Sequence, residues 1–277
     1  MLLIFAGVAG TFLAAEILFP ARPLQPFFRP GVFADLLYVP LHVVLRMLLN
    51  ISLAGLIMTA GRALLPAGAV AVLSDRPVWL QAAVLIFVLD FFFYVMHRAK
   101  HRWTWWWRLH ETHHSSRHLD WLASARFHPL EKLLDRAIFL LPLLVLGVSE
   151  KAIVIWASVD VFFGVMNHSN TRLRIGPLRY LFVGPGMHSW HHAIETSGGG
   201  CNFGNNLSIF DWIFGTAYWP GRRNDSFGIA VPDYPAGNLV RQFLFAFRRT
   251  PVSGDQAASA RSSEAATSST AASGIPG

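Results

Sequence analysis

VWLQAAVLIFVLDFFFYV (residues 78–95) runs without a break into MHRAKHRWTWWWRLHETHH (residues 96–114). The first half is an apolar run whose single charge is Asp90, and about 20 such residues suffice to cross a bilayer. The second half holds five of the chain's 12 histidines, His97, His101, His110, His113 and His114. A second cluster, His188-Ser189-Trp190-His191-His192, lies downstream. An apolar chain that gathers imidazoles at two separated places reads as a membrane protein with a metal site.

Composition agrees. Of 277 residues, 53% are hydrophobic and 14% charged, with a mean hydropathy of +0.40, whereas a soluble domain carries about 25% charged residues. The net charge is +7. The basic residues flank apolar runs, which fits anionic lipid headgroups and membrane orientation rather than nucleic acid as a partner. The one cysteine, Cys201, excludes an intrachain disulfide framework and a cysteine-based zinc site.

Outward from the decisive stretch, residues 2–19 form a first span, read as a retained membrane helix because no basic segment precedes it. The turn 20–30 is rich in proline and carries Arg22 and Arg29. A second span covers 35–60, interrupted by Pro40, His42, Arg46 and Asn50; His42 and Arg46, four apart, share a polar face. Arg98, Lys100, Arg102, Arg108, Arg117, Arg126 and Lys132 outnumber Glu111, Asp120 and Glu131 between 97 and 132. Excess Lys and Arg mark a cytoplasmic segment, so three crossings from an outside N-terminus place this segment inside. Leu133–Val148 and Lys151–Met166 are shorter apolar stretches, the first broken by Pro142, that together form an up-and-back hairpin. Residues 168–250 have the composition of a membrane-apposed cytoplasmic region. The Ser/Ala/Thr/Gly-rich tail from Pro251 lacks the apolar residues needed to order itself.

His97 and His101 are i and i+4 and share a helix face. His110, His113 and His114 are i, i+3 and i+4, and His188, His191 and His192 repeat that pattern. Neutral imidazole suits first-row transition metals such as iron and zinc. Eight imidazoles exceed one ion with an open position, so two metals are the economical reading, with His128 and His168 as candidates for further ligands. His42 and His118 read instead as hydrogen-bonded interface residues. His110-Glu111-Thr112-His113 also matches H-E-x-x-H, the zinc-protease pattern. That mechanism uses one zinc with three protein ligands and leaves the other histidines without a purpose.

Carboxylates in apolar helices are costly and usually paired or functional. Asp90, Tyr94, His97 and His101 form one stripe, and Asp160, Gly164 and His168 another. Metal-bound histidines donate their second N–H to a carboxylate or carbonyl, which makes Asp90, Tyr94, Asp160 and Asn167 candidate supports. Asp90 is two turns from His97, so a histidine from another segment is its better partner. Trp103, Trp105, Trp106 and Trp107 suit the headgroup level.

With these residues together, the chain resembles the fatty acid hydroxylase superfamily, also called the sterol desaturase family. The resemblance rests on Asp90…Tyr94…His97-Arg98-x-x-His101, His110-x-x-His113-His114-Ser115, Arg126-x-His128-Pro129-x-Glu131, Asn167-His168-Ser-Asn170, Pro185…His188-x-x-His191-His192 and the closing Asn202-Phe203-Gly204…Asp211-Trp212…Phe214-Gly215-Thr216. It implies an all-α, polytopic integral membrane protein with a cytoplasmic histidine-rich helical cap over the membrane face. It implies two iron ions, replaceable by zinc on purification, held by His97, His101, His110, His113, His114, His168, His188, His191 and His192; His128 occupies a family position as well. The implied activity uses O₂ to oxidise an unactivated C–H bond of a membrane lipid, by hydroxylation or desaturation. No haem-binding, dinucleotide or cysteine-ligand pattern is present, so a separate donor protein supplies the electrons. The expected organisation is membrane spans and linkers over 1–84, a catalytic domain over 85–217, an amphipathic basic and aromatic segment over 218–250, and a disordered tail over 251–277. A bacterial inner membrane is the expected location. The alternatives are a histidine-rich metal transporter, which would string its ligands along a path through the membrane, the zinc protease, and an inactive family member, which would lack ligands.

Overall fold

The structure, a computed structural model, describes residues 2–64, 72–196, 200–222, 224–231 and 233–248. The tail expected to be disordered lies outside the described residues. Among the described residues all regular secondary structure is helical, apart from isolated bridges such as Pro20 to Thr171. The helices are α1 (Leu2–Leu18), α2 (Val32–Leu64), α3 (Val78–Arg102), α4 (Thr104–His114), α5 (Pro129–Leu146), α6 (Glu150–His168), α7 (Pro185–His191), α8 (Ile209–Ile213) and α9 (Leu239–Phe245).

Two prolines do less than the sequence suggests. Pro40 lies inside α2 and Pro142 inside α5, and both helices continue past them. A proline removes one helical hydrogen bond, a loss that apolar helices tolerate when neighbours re-satisfy the freed carbonyl. The hairpin between α5 and α6 instead turns at Gly147, whose φ of 58° places it in the left-handed region that glycine enters without penalty. Ser149 then caps α6 by accepting from the Ala152 N–H. At its other end α5 starts from His128, whose side chain accepts from the Leu130 N–H, with Pro129 at the first helical position.

Helix α3 is the centre of the packing. It contacts α4, α5 and α6, while α1 lies against α6 and α2 against α5. Leu85, Leu89 and Met96 of α3 meet Trp106 and Leu109 of α4, Phe139 of α5 and Trp156 of α6 in the largest apolar cluster. Outward faces stay apolar as well: Leu3, Leu18, Phe33, Phe87 and Leu141 are all more than half exposed. Exposed apolar side chains of this kind fit a membrane helical protein. Among the described residues α3 alone is both long and apolar enough to cross a membrane, and Leu2–Leu18 and Val32–Leu45 are shorter apolar helices.

Trp103 is extended, at φ −102° and ψ 117°, and separates α3 from α4. This bend lets α4 fold back over the end of α3. The histidines of α4, His110, His113 and His114, close that helix. The tryptophans divide too. Trp103 and Trp105 are exposed and suit an interface, whereas Trp106 and Trp107 are buried.

A buried ion network ties the first helices to this frame. Asp35, at the start of α2, is completely buried between Arg29 and Arg126, each at 2.7 Å. Arg29 also donates to Asp120 at 2.6 Å, and Tyr38 donates to Gln242 of α9 at 2.7 Å. Removing one partner of such a network strands the others without compensation, at a cost of about 3–5 kcal/mol. Asp35→Ala is therefore expected to lower the thermal unfolding midpoint in detergent markedly, and an unchanged midpoint would count against a structural role for the network.

Candidate metal centre

Three helix ends and one short helix deliver the histidines. His97 and His101 come from the last turns of α3, His110, His113 and His114 from the end of α4, and His168 from the end of α6. His188 and His191 lie on α7, with His192 directly after it. The structure sorts these nine into two groups: His97, His101, His110, His114 and His191 in one, and His113, His168, His188 and His192 in the other. Within each group the candidate ligand atoms all lie within 4.8 Å of one another. His128 belongs to neither. Its Nδ1 caps α5 and its Nε2 donates to the Phe243 carbonyl at 3.1 Å.

Each HxxHH pattern is divided between the groups. His110 and His114, one turn apart, go to the first and His113 to the second; His188 and His192 go to the second and His191 to the first. The two groups are adjacent, because His114 and His192 stack with ring centroids 4.4 Å apart.

The hydrogen bonds settle which nitrogen faces inward. Nδ1 of His97 donates to the Phe203 carbonyl at 2.8 Å, that of His113 to Arg126 at 3.1 Å, that of His168 to Gly164 at 2.7 Å and that of His191 to Cys201 at 2.8 Å. His110 Nδ1 donates to Glu131 Oε1 at 2.8 Å. A neutral imidazole with its proton on Nδ1 keeps only a lone pair on Nε2. Yet His97 and His110 face each other through Nε2 at 3.0 Å, and His113 and His168 do so at 3.2 Å. Nε2 of His191 and of His101 is buried without a partner. Lone pairs converging in this way fit a cation.

Nε2 atoms 3.0–3.2 Å apart are spaced as neighbouring ligands of one transition-metal ion would be.

Burial keeps these imidazoles neutral, the form that binds metal. It pushes His113, His114, His188 and His192 well below the ordinary histidine value, with neighbouring imidazoles acting in the same direction. His191 goes down to about 3, although its bond to the Cys201 carbonyl opposes the shift.

Several supports were not legible in the sequence. Lys100 is buried and donates to Glu131 at 2.8 Å and to Asp135 at 2.9 Å, and Glu131 in turn holds His110. The only signal for Lys100 was its place one turn from His97. Arg126 supplies its carbonyl to His113 while its guanidinium reaches Asp35 and Ser115.

The carboxylates in the apolar helices hold a loop rather than a histidine. Asp90 accepts from the backbone N–H groups of Asn206 at 3.1 Å and Leu207 at 2.5 Å. Asp160 accepts from Asn205 at 2.9 Å, Asn167 donates to the Asn205 carbonyl at 2.7 Å, and Tyr94 pairs with Thr216 at 3.0 Å. Asp211 accepts from the N–H groups of Phe203 and Gly204. A Cβ on Gly204 would stand 2.4 Å from the Leu207 carbonyl oxygen, so only glycine permits this fold of the loop. The loop presents the Cys201 and Phe203 carbonyls to His191 and His97. These residues thus act on the histidines at one remove.

Glu111, the acid of the H-E-x-x-H pattern, does not face either group. It is buried in an ion pair with Arg248.

All nine histidines lie within the segment that comparison with known proteins matches. Residues 82–216 match the family described as fatty acid hydroxylase. Ornithine lipid hydroxylase OlsE of Rhizobium tropici is 32% identical over 173 residues, which is 62% of this chain and 52% of that protein. Very-long-chain aldehyde decarbonylase GL1-5 of Oryza sativa subsp. indica is 29% identical, over 60% of this chain and 28% of its own. Alkylglycerol monooxygenase of Homo sapiens is 28% identical, over 46% of this chain and 28% of its own. The chain thus spans about half the length of the first and about a quarter of the other two. No solved structure matches.

Two outcomes follow from this geometry. Glu131→Gln should weaken metal binding about 10–100-fold, as loss of a carboxylate behind a ligating histidine does; competition with a chelator measures it. In the metal-stripped protein the folded histidines titrate below 6.5, the value for an unperturbed side chain. The stability that depends on their neutrality is then complete above that value and is lost as pH falls through it. The unfolding midpoint should decline from about pH 7 to about pH 5 and stay level on the alkaline side.

Proposed function

We propose that this protein is a membrane-bound oxygenase that inserts oxygen into an unactivated C–H bond of a lipid. The overall change is R–H + O₂ + 2 e⁻ + 2 H⁺ → R–OH + H₂O, with the electrons delivered by a separate donor protein. The observation that carries this reading is the pair of adjacent imidazole groups with converging Nε2 lone pairs at one end of α3, α4 and α6.

The nine histidines of the two groups hold two iron ions in this reading, and bound iron supplies the activation of O₂. The chain's own residues do the rest. Glu131 and the carbonyls of Phe203, Arg126, Gly164 and Cys201 take the Nδ1 protons and so aim each ring. The Phe203 ring packs on His97, His101 and His191 and shields them from water. Residues 85–217 are the catalytic domain. The spans of 1–84 hold it in the membrane, and the histidine cap faces the cytoplasm of a bacterial cell.

Further support comes from the relatives. They are named for hydroxylating ornithine lipids, for oxygenating alkylglycerols and for decarbonylating very-long-chain aldehydes. Two of these three names denote oxygen insertion, which favours hydroxylation over desaturation for this chain. The histidines gather at one edge rather than along a path through the apolar helices, which disfavours a metal transporter. The Glu111 pairing with Arg248 disfavours a zinc protease, which requires that carboxylate beside the metal.

Iron-loaded protein is expected to contain about two irons per chain, the number two such groups hold. It should place label from ¹⁸O₂ in a host lipid, read by mass spectrometry of membrane extracts. His113→Ala should abolish the labelling and lower the iron content. An active preparation that contains zinc and no iron would overturn the proposal.

A further inference from the structure

Against the backbone that carries His168 and His188 lies a cavity of about 320 Å³ whose wall includes Arg22, Arg172, Arg174, Arg179 and Arg222. Ser169 and Ser189, the chain neighbours of those two histidines, also line it. Five arginines and one carboxylate line this wall; the carboxylate is Asp225, three-quarters exposed and 3.8 Å from Arg22 Nε, and Arg222 also pairs with Glu195 at 2.7 Å, beside the cavity. The metal centre does not use these charges.

Three of the five arginines are held against aromatic rings, and Arg172 and Arg174 are exposed at the rim. Arg22 lies over the Phe227 ring at 4.5 Å, Arg179 over Tyr180 at 4.8 Å and Trp219 at 5.8 Å, and Arg222 over Trp190 at 4.7 Å. Stacking on rings orients the planar guanidinium fork before any ligand arrives, which reduces the ordering cost of binding. Trp219 in turn sits on Gly186, where a Cβ would come within 2.7 Å of the ring. Forks of this kind match the paired oxygens of phosphate and carboxylate.

The surroundings are those of a headgroup layer. Arg22 follows α1 and Arg172 to Arg179 follow α6, beside the exposed apolar side chains of Phe19, Leu173 and Leu178. Arginine among outward-facing apolar residues is the composition of a membrane–water boundary, where basic side chains meet anionic lipid. The volume is at the small end of ligand sites, large enough for a headgroup and too small for a protein segment.

We propose that this cavity takes the oxyanion, phosphate or carboxylate, of the headgroup of the lipid that the metal centre oxidises. The identity of that lipid as substrate rests on the oxygenase reading; the anion binding itself does not. Headgroup capture beside His168 and His188 would fix the lipid relative to the oxidising site, so that distance along the chain selects the carbon.

The test is calorimetric titration of the full-length protein in a neutral detergent, without turnover. The probes are dihexanoylphosphatidylglycerol, uncharged dihexanoylglycerol and inorganic phosphate. The intact protein should bind the phospholipid and not the uncharged lipid. Arg174→Gln should weaken phospholipid binding, and R174Q/R179Q should weaken it about tenfold or more, with metal content and unfolding midpoint unchanged. Arg174→Lys should retain most of the affinity, and Arg76→Gln, an equal charge loss away from the cavity, should have no effect. Equal binding by intact and doubly substituted protein overturns the proposal. So does an equal loss with Arg76→Gln, which would mean general attraction of the basic surface. Tighter binding of inorganic phosphate than of the phospholipid would assign the cavity to a free anion and overturn the headgroup assignment. Failure of the oxygenase reading would appear in the labelling experiment and leave these titrations intact.

Discussion

An imidazole that gives its Nδ1 proton to a carbonyl or carboxylate has one lone pair left, and the rest of this structure depends on where those lone pairs point. Five of the nine clustered histidines are fixed in this way. Their acceptors come from four different parts of the chain: the loop around Cys201 and Phe203, the segment at Arg126, the start of α5, and α6 itself. Without those acceptors each ring could rotate and turn either nitrogen inward. With them, acceptor faces acceptor at about 3 Å within both groups, an arrangement that calls for a positive ion between them.

Those acceptors explain why charged residues are buried around the centre. Lys100, Glu131 and Asp135 form a buried cluster, and Arg29, Asp35, Arg126 and Asp120 form a second. Burial of single charges costs several kcal/mol each, so isolated members would not be retained in an apolar frame. Paired, they fix one register: Lys100 sets Glu131, which sets His110, and Asp35 sets Arg126, whose carbonyl sets His113. The N-terminal helices are thereby coupled to the centre although they contribute no candidate ligand.

The carboxylates of the apolar helices show how a sequence rule can identify the right residues with the wrong partners. Asp90 and Asp160 stand out because a carboxylate in an apolar helix needs a counterpart. The rule that ligating histidines lean on carboxylates suggests a histidine, for Asp90 one from another segment. The counterparts are instead backbone N–H groups and an asparagine of the loop at 205–207. That loop is irregular, and its N–H groups have no helix or sheet to satisfy them. Two buried carboxylates do so, and the loop they order supplies carbonyls to His97 and His191.

The sequence by itself determined the helical class, the apolar helix at Val78, the nine histidines and the likeness to a lipid-oxidising family. Each of these is local: hydropathy and ligand spacing depend on residues a few positions apart, as does the division of charge around a span. Only the tertiary structure decided the grouping, because the assignment depends on contacts between helices far apart in sequence. In both HxxHH patterns the residues at i and i+4 stay together while the remaining histidine joins the other group. Helical spacing places all three on roughly one face and cannot distinguish between them. The departure of His128 into a helix cap and the pairing of Glu111 with Arg248 were decided in the same way, by partners that no spacing rule reaches.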